Sequence, residues 1–150
     1  VGEKIDHVDG MTIEEAEHQM ATRLYQNNAR VHFNQDVEKN GRFGHRIVYG
    51  GYIISLARAI SCNGLANAFR VAAIHAGRHS APSFAGNTIY AWSEILEKAE
   101  IPGRNDIGTL RVRTLASKDS SQAVYPEKNA KDFPENIVLD LDYTVLIPRR

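Results

Sequence analysis

With 150 residues, the chain has the length of one domain of ordinary size. Its 43% hydrophobic and 24% charged residues exclude disorder and collagen-like architecture. Eighteen basic residues balance eighteen acidic ones, so no global field exists to hold nucleic acid or an anionic membrane. The single cysteine, Cys62, excludes a disulfide framework within the chain. It fits a reducing compartment, and a cytoplasmic location is expected. The longest apolar stretch, 47–59, is interrupted by Gly50, Gly51, Ser55 and Arg58 and falls short of the ~20 residues of a membrane helix. Neither a membrane nor nucleic acid is therefore expected as a partner. The first ten residues are charged and have no apolar signal core. The chain opens on Val1 rather than Met, which suits a processed chain or a piece of a longer one.

Residues 1–10 read as an opening segment, either short strand or loop. Thr12 and Glu15 have capping-box spacing, which predicts a helix over 13–25 with Ile13, Ala16, Met20 and Leu24 as its apolar stripe. Asn27-Asn28 closes it. Residues 35–46 are polar and hold Gly41 and Gly44, so a turn or short helix and then a loop is expected. The stretch 47–66 is the most informative. Ile53, Leu56, Ala57, Ile60 and Leu65 recur at helical spacing, and most other positions are small, which predicts a buried helix. Gly64 stands near its expected end.

From there the period changes to two. Strands are predicted over 69–76, 89–96, 109–116 and 137–147. The last is the clearest, with Ile137, Leu139, Leu141, Tyr143, Val145 and Ile147 on one face. Residues 117–136 form a long polar connection. Helices followed by strands, without βαβ alternation, indicate an α+β domain with an antiparallel sheet curled around the buried helix.

Several residues could carry chemistry. His32 has a side chain suited to proton transfer near neutral pH, though its position alone favours a surface or structural histidine. Tyr49, Gly50 and Gly51 open the buried helix, where free amides and the positive end of the dipole could hold a developing oxyanion. The same glycines could serve packing alone. The stretch 82–88 (PSFAGNT) is by itself a turn signal. His75 and His79 are four apart and would share a strand face, but no third ligand lies near them, so no metal site is expected. Arg78, Arg104, Arg149 and Arg150 are scattered, as solvated arginines are.

Taken in order, these pieces resemble the MaoC-like dehydratases of the hot-dog fold. The family's N-terminal segment is similar to 2–5 (GEKI) and 12–17 (TIEEAE). Its active-site stretch is similar to Asn27, His32, Arg42-Phe43-Gly44 and Ile47-Val48-Tyr49-Gly50, and its glycine turn to Ala85-Gly86-Asn87-Thr88. Longer stretches, among them LYQNNARVHF, GRFGHRIVYGGYIISLAR and SFAGNTIYAWSEIL, tie nearly the whole chain to one narrower group of that family.

The resemblance implies a hot-dog sheet wrapped around a central helix, with 1–150 as one such domain. It further implies the C-terminal half of a longer double hot-dog protein. The implied activity is reversible addition of water across the double bond of an enoyl thioester of coenzyme A, on a substrate with an extra carboxylate. No metal or redox cofactor is implied. His32 would activate water beside Asn27, and the amide of Gly50 or Gly51 would hold the thioester oxygen. Tyr49, Gly86, Asn87 and Thr88 would line the substrate, and Arg30, Arg78 or His79 would meet the carboxylate. The domain would pair with a second hot-dog domain, its own copy or the other half.

The chain departs from the wider family in three places. Asn27 stands where the family has an Asp, Tyr49 where it has a His, and Asn87 where it has an Asp. An amide hydrogen-bonds water but does not take its proton at neutral pH, so either His32 is the sole base or a group from elsewhere substitutes. Two other readings share the fold. One is a catalytically silent half kept for dimerisation or CoA binding. The other is an acyl-CoA thioesterase, opposed by the absence of Asp and Glu from 49–60.

Overall fold

The computed structural model describes residues 1–120, 125–126 and 133–149. Half of the polar connection 117–136, and Arg150, lie outside the described residues. Strands β1 (Lys4–Asp6) and β2 (Met11–Thr12) precede helix α1 (Glu15–Leu24). A 3₁₀ turn (Arg30–His32) and a short helix α2 (Gln35–Glu38) lead to α3 (Gly50–Ile60) and the broken turn α4 (Cys62–Leu65). Four long strands follow: β3 (Arg70–His79), β4 (Thr88–Glu100), β5 (Ile107–Lys118) and β6 (Ile137–Pro148).

All pairings are antiparallel, in the order β1-β4-β5-β6-β3 with β2 also on β4. The period-2 pattern explains why. In β6 the predicted face is buried, from Ile137 through Val145, while Asp140, Asp142 and Thr144 face outward. There Asp140 and Asp142 form bidentate pairs with Arg113 and Arg111 of β5, which pin the β5–β6 register from the outer side. On the inner side Ile53, Leu56, Ala57 and Ile60 of α3 pack against Ile89, Ala91, Val112 and Leu141 in one core. The sheet therefore wraps the helix that the small residues had marked.

Three expectations need correction. First, Thr12 caps nothing. Its hydroxyl meets that of Thr88 at 2.8 Å across β2 and β4, and α1 begins behind Glu14 with no side-chain cap. Second, α1 buries the other face. His18, Gln19, Ala21 and Thr22 are inside, whereas Ala16, Met20 and Leu24 are exposed. The helix is rolled onto its polar side because the groups behind it are polar: Gln19 Nε2 donates to the His32 carbonyl at 2.7 Å, and Glu15 pairs with Arg46. Third, α3 is not buried all round, since Ser55 and Ala59 remain exposed.

A chain of polar side chains crosses the core. Arg58 donates to the Tyr143 hydroxyl at 2.9 Å, which is 2.9 Å from Thr114 Oγ1. Ser93 Oγ continues the chain at 2.7 Å and reaches His7 Nε2 at 2.8 Å. His7 Nδ1 then meets the Asn63 carbonyl. A carbonyl only accepts, so His7 carries its proton on Nδ1 and every link points the same way, from Arg58 to Asn63.

Candidate active site

His32 and the start of α3 meet in one cleft. The 3₁₀ turn that carries His32 is tied to the chain ahead of α3, where Ile47 N–H bonds the Val31 carbonyl at 3.1 Å. His32 Nδ1 donates to the Ile47 carbonyl at 2.9 Å, which leaves Nε2 as the acceptor nitrogen. From behind, Gln19 holds the His32 carbonyl. The Tyr49 ring stands edge-on to the imidazole, centroids 6.0 Å apart.

A cavity of about 360 Å³ opens here, lined by His32, Gly50, Ile53, His79, Ser80 and Ser83 among others. Gly50 contributes backbone. A Cβ there would come within 2.6 Å of His79 Nε2, so the His79 ring covers the first turn of α3 only because position 50 has no side chain. Gly51 differs: its open side is filled by the Tyr49 ring, 2.5 Å from where a Cβ would stand. Of the two glycines, Gly50 is the one whose backbone lines the cavity.

The remaining predicted residues lie elsewhere. Asn27 is outside the cavity lining, and its Oδ1 accepts from the Ala29 amide at 2.8 Å, closing a local turn. Arg30 is exposed at the start of the 3₁₀ turn. Arg78 sits opposite Asp140, on the outward side of β6. Gly86, with φ of +91°, Asn87 and Thr88 form a braced turn rather than a cavity wall. Asn87 Nδ2 and the Thr88 amide both donate to Asp119, at 2.6 and 2.8 Å.

His79, expected with Arg30 and Arg78 only as a contact for the substrate carboxylate, does line this cavity. Its spacing from His75 predicted a shared face, but β-bulges interrupt the β3–β6 register between Val71 and Ala73 and between Ile74 and Ala76. A bulge shifts the alternation by one. His75 accordingly bonds Thr144 Oγ1 on the outer face at 2.7 Å, while His79 pairs opposite Leu139 and reaches the cavity. Among the described residues no cluster of three metal-ligating side chains exists. His79 is exposed on the strand edge, but its partial burial lowers its pKa from the ordinary value. Ser80 and Ser83 were also missed; their hydroxyls are buried beside the cavity without a hydrogen-bond partner. Ser83 belongs to the turn-forming stretch 82–88, and no sequence signal marks Ser80.

A larger cavity of about 730 Å³ lies at the other end of α3, beside Gly64 and Leu65. Its lining includes no histidine, nor Asn27, Tyr49, Gly50, Gly51 or the 86–88 turn. Among the described residues, no helix is long and apolar enough to cross a membrane.

No protein-family model matches the chain. It is 69% identical over its whole length to β-methylmalyl-CoA dehydratase of Chloroflexus aurantiacus and covers 43% of that protein. It is 50% identical, over 99% of its length, to mesaconyl-CoA hydratase of Cereibacter sphaeroides, covering 42% of it. The chain thus spans under half the length of the relatives it matches. A solved MaoC-domain dehydratase from Chloroflexus aurantiacus superposes over the full chain and 43% of its own, with a TM-score of 0.96 at 69% identity. A double hot-dog protein of Mycobacterium tuberculosis shares the fold, with a TM-score of 0.77 at 16% identity over 99% of this chain and 42% of its own. On its sequence and its fold, the chain is a hot-dog domain of the MaoC-like dehydratase family.

Proposed function

We propose that the chain catalyses reversible hydration of an enoyl-CoA thioester, mesaconyl-CoA to β-methylmalyl-CoA, as the C-terminal half of a double hot-dog enzyme of the cytoplasm. The observation that carries this reading is the joint presence of His32 and the Gly50 backbone on one cavity. The names of the two relatives supply the substrate. Water held at His32 Nε2 adds to the β-carbon and gives its proton to the imidazole. The π electrons move onto the thioester oxygen, held by the Gly50 amide, which makes no bond within the helix. Collapse of the enolate draws the proton back onto the α-carbon. Atoms balance as one water added, with no cofactor beyond the coenzyme A of the substrate.

The partner in this reading is a second hot-dog domain, either the other half of the protein or a second copy. A second reading, a half kept for pairing or CoA binding, is favoured by one observation: Asn27 is spent on a turn. A spectrophotometric assay at the enoyl-thioester absorbance, with mesaconyl-CoA and crotonyl-CoA, separates them. The protein expressed from its full reading frame should hydrate mesaconyl-CoA, and His32→Ala should lower kcat at least about 100-fold without lowering the melting temperature. A fully active His32→Ala enzyme would sink the assignment of the base and leave the silent half standing.

A further inference from the structure

Asn27 leaves the proposed reaction one group short. Its oxygen is occupied by the Ala29 amide, and it lies outside the cavity lining. The cavity nevertheless receives two imidazoles, His32 from the 3₁₀ turn and His79 from the end of β3, and they are the titratable side chains that line it. We propose that His79 is a second catalytic residue, one that accepts a hydrogen bond from the reacting water and aims it while His32 takes the proton. This rests on the hydratase reading.

The geometry suits that role. The His79 ring lies over the first turn of α3, the turn whose Gly50 amide would hold the thioester oxygen. Water, β-carbon and carbonyl oxygen must be gathered within a few ångströms of one another, and His79 lines the cavity that would hold them. Although His79 stays open to solvent on one side, its partial burial lowers the ring's pKa from the ordinary histidine value, so it is neutral at pH 7 and keeps an acceptor lone pair. A water between two acceptor ring nitrogens donates one hydrogen to each, which turns an oxygen lone pair toward the substrate. In the chemical step the O–H bond facing His32 breaks, its electron pair stays on oxygen as the C–O bond forms, and the hydrogen facing His79 remains on the product hydroxyl. His79 thus ends the cycle as it began, without gaining or losing a proton.

The test uses His79→Phe, His79→Gln and His79→Ala in the full-length protein, with mesaconyl-CoA and with folding followed by thermal melting. Phe fills the space but accepts nothing, whereas Gln has an acceptor oxygen. If His79 aims the water, Phe and Ala should each lower kcat about 100-fold with KM changed little. Gln should stay within about tenfold of wild type, and added imidazole should restore the Ala variant. A Phe variant with near wild-type kcat would show a packing role and overturn the proposal while leaving the hydratase reading intact. Loss in all three variants, with no restoration by imidazole, would overturn it as well. Wild-type protein inactive on both thioesters would overturn the hydratase reading, and this proposal with it.

Discussion

Gly50 lies under the His79 ring, with no room for a Cβ. Gly50→Ala should therefore displace His79, and an about 100-fold loss of kcat in a protein that still melts cooperatively is expected. A variant as active as wild type would show that the ring moves aside at no cost. Gln19 acts one layer back, through the His32 carbonyl. Gln19→Leu should lower kcat more than it raises KM, and Gln19→Glu should not restore it, because a carboxylate has no N–H to donate. The buried histidines set the acid limit. Burial lowers the pKa of His7, and burial together with the neighbouring His32 lowers that of His18. Between the ordinary value near 6.5 and these depressed values, the unfolded chain binds more protons than the folded one. Stability should thus be level above about pH 6.5 and fall as the pH drops below it. Protonated His7 could no longer accept from Ser93, so the polar chain through the core would break there. Differential scanning calorimetry at about pH 7.5 and 5.5 should find the lower melting temperature in acid; equal values would contradict the assignment.

At the scale of elements, local signals succeeded where one contact pattern spans a whole element. The long strands alternate, so β4, β5 and β6 were legible from their period, and the small and apolar residues of 50–60 marked α3. Element ends were less legible. The capping-box spacing at Thr12 competes with a strand partner, Thr88, that is 76 residues away and invisible to local reading. Gly64, expected near the helix end, has φ of +107°, and an added Cβ would stand 2.7 Å from Ile5 Cγ2. Gly64→Ala should cost about 1–2 kcal/mol from the left-handed backbone alone, read as a lower midpoint in denaturant. The bulges in β3 leave no mark in the sequence, yet the one between Ile74 and Ala76 places His75 and His79 on opposite faces.

For the whole molecule, β3 raises the question of pairing. Among the described residues it is hydrogen-bonded on one side only, to β6, and all ten of its residues are exposed. Val71 and Ile74 lie along it with Phe69 just ahead, and long exposed edges of this kind pair with other chains unless blocked. In the proposed pairing of hot-dog domains, the isolated chain should run as a dimer in size-exclusion chromatography with light scattering. Val71→Lys with Ile74→Lys should convert it to a monomer. A wild-type chain that is monomeric at tens of micromolar would count against pairing through this edge.

The amino-acid sequence by itself determined the class of fold, the four long strands, the central helix and the pairing of His32 with the glycine-opened helix as a candidate site. These are legible because alternation and helical spacing are local consequences of which side faces the core. Tertiary structure alone decided which residues share the cavity. It separated Gly50 from Gly51, moved Asn27, Arg30, Arg78 and the 86–88 turn away from the cleft, and brought in His79, Ser80 and Ser83. It also turned α1 onto its polar side, against the expected stripe. Each of these outcomes depends on partners distant in the chain, on register, bulges and the space left between packed backbones, and no local period encodes them.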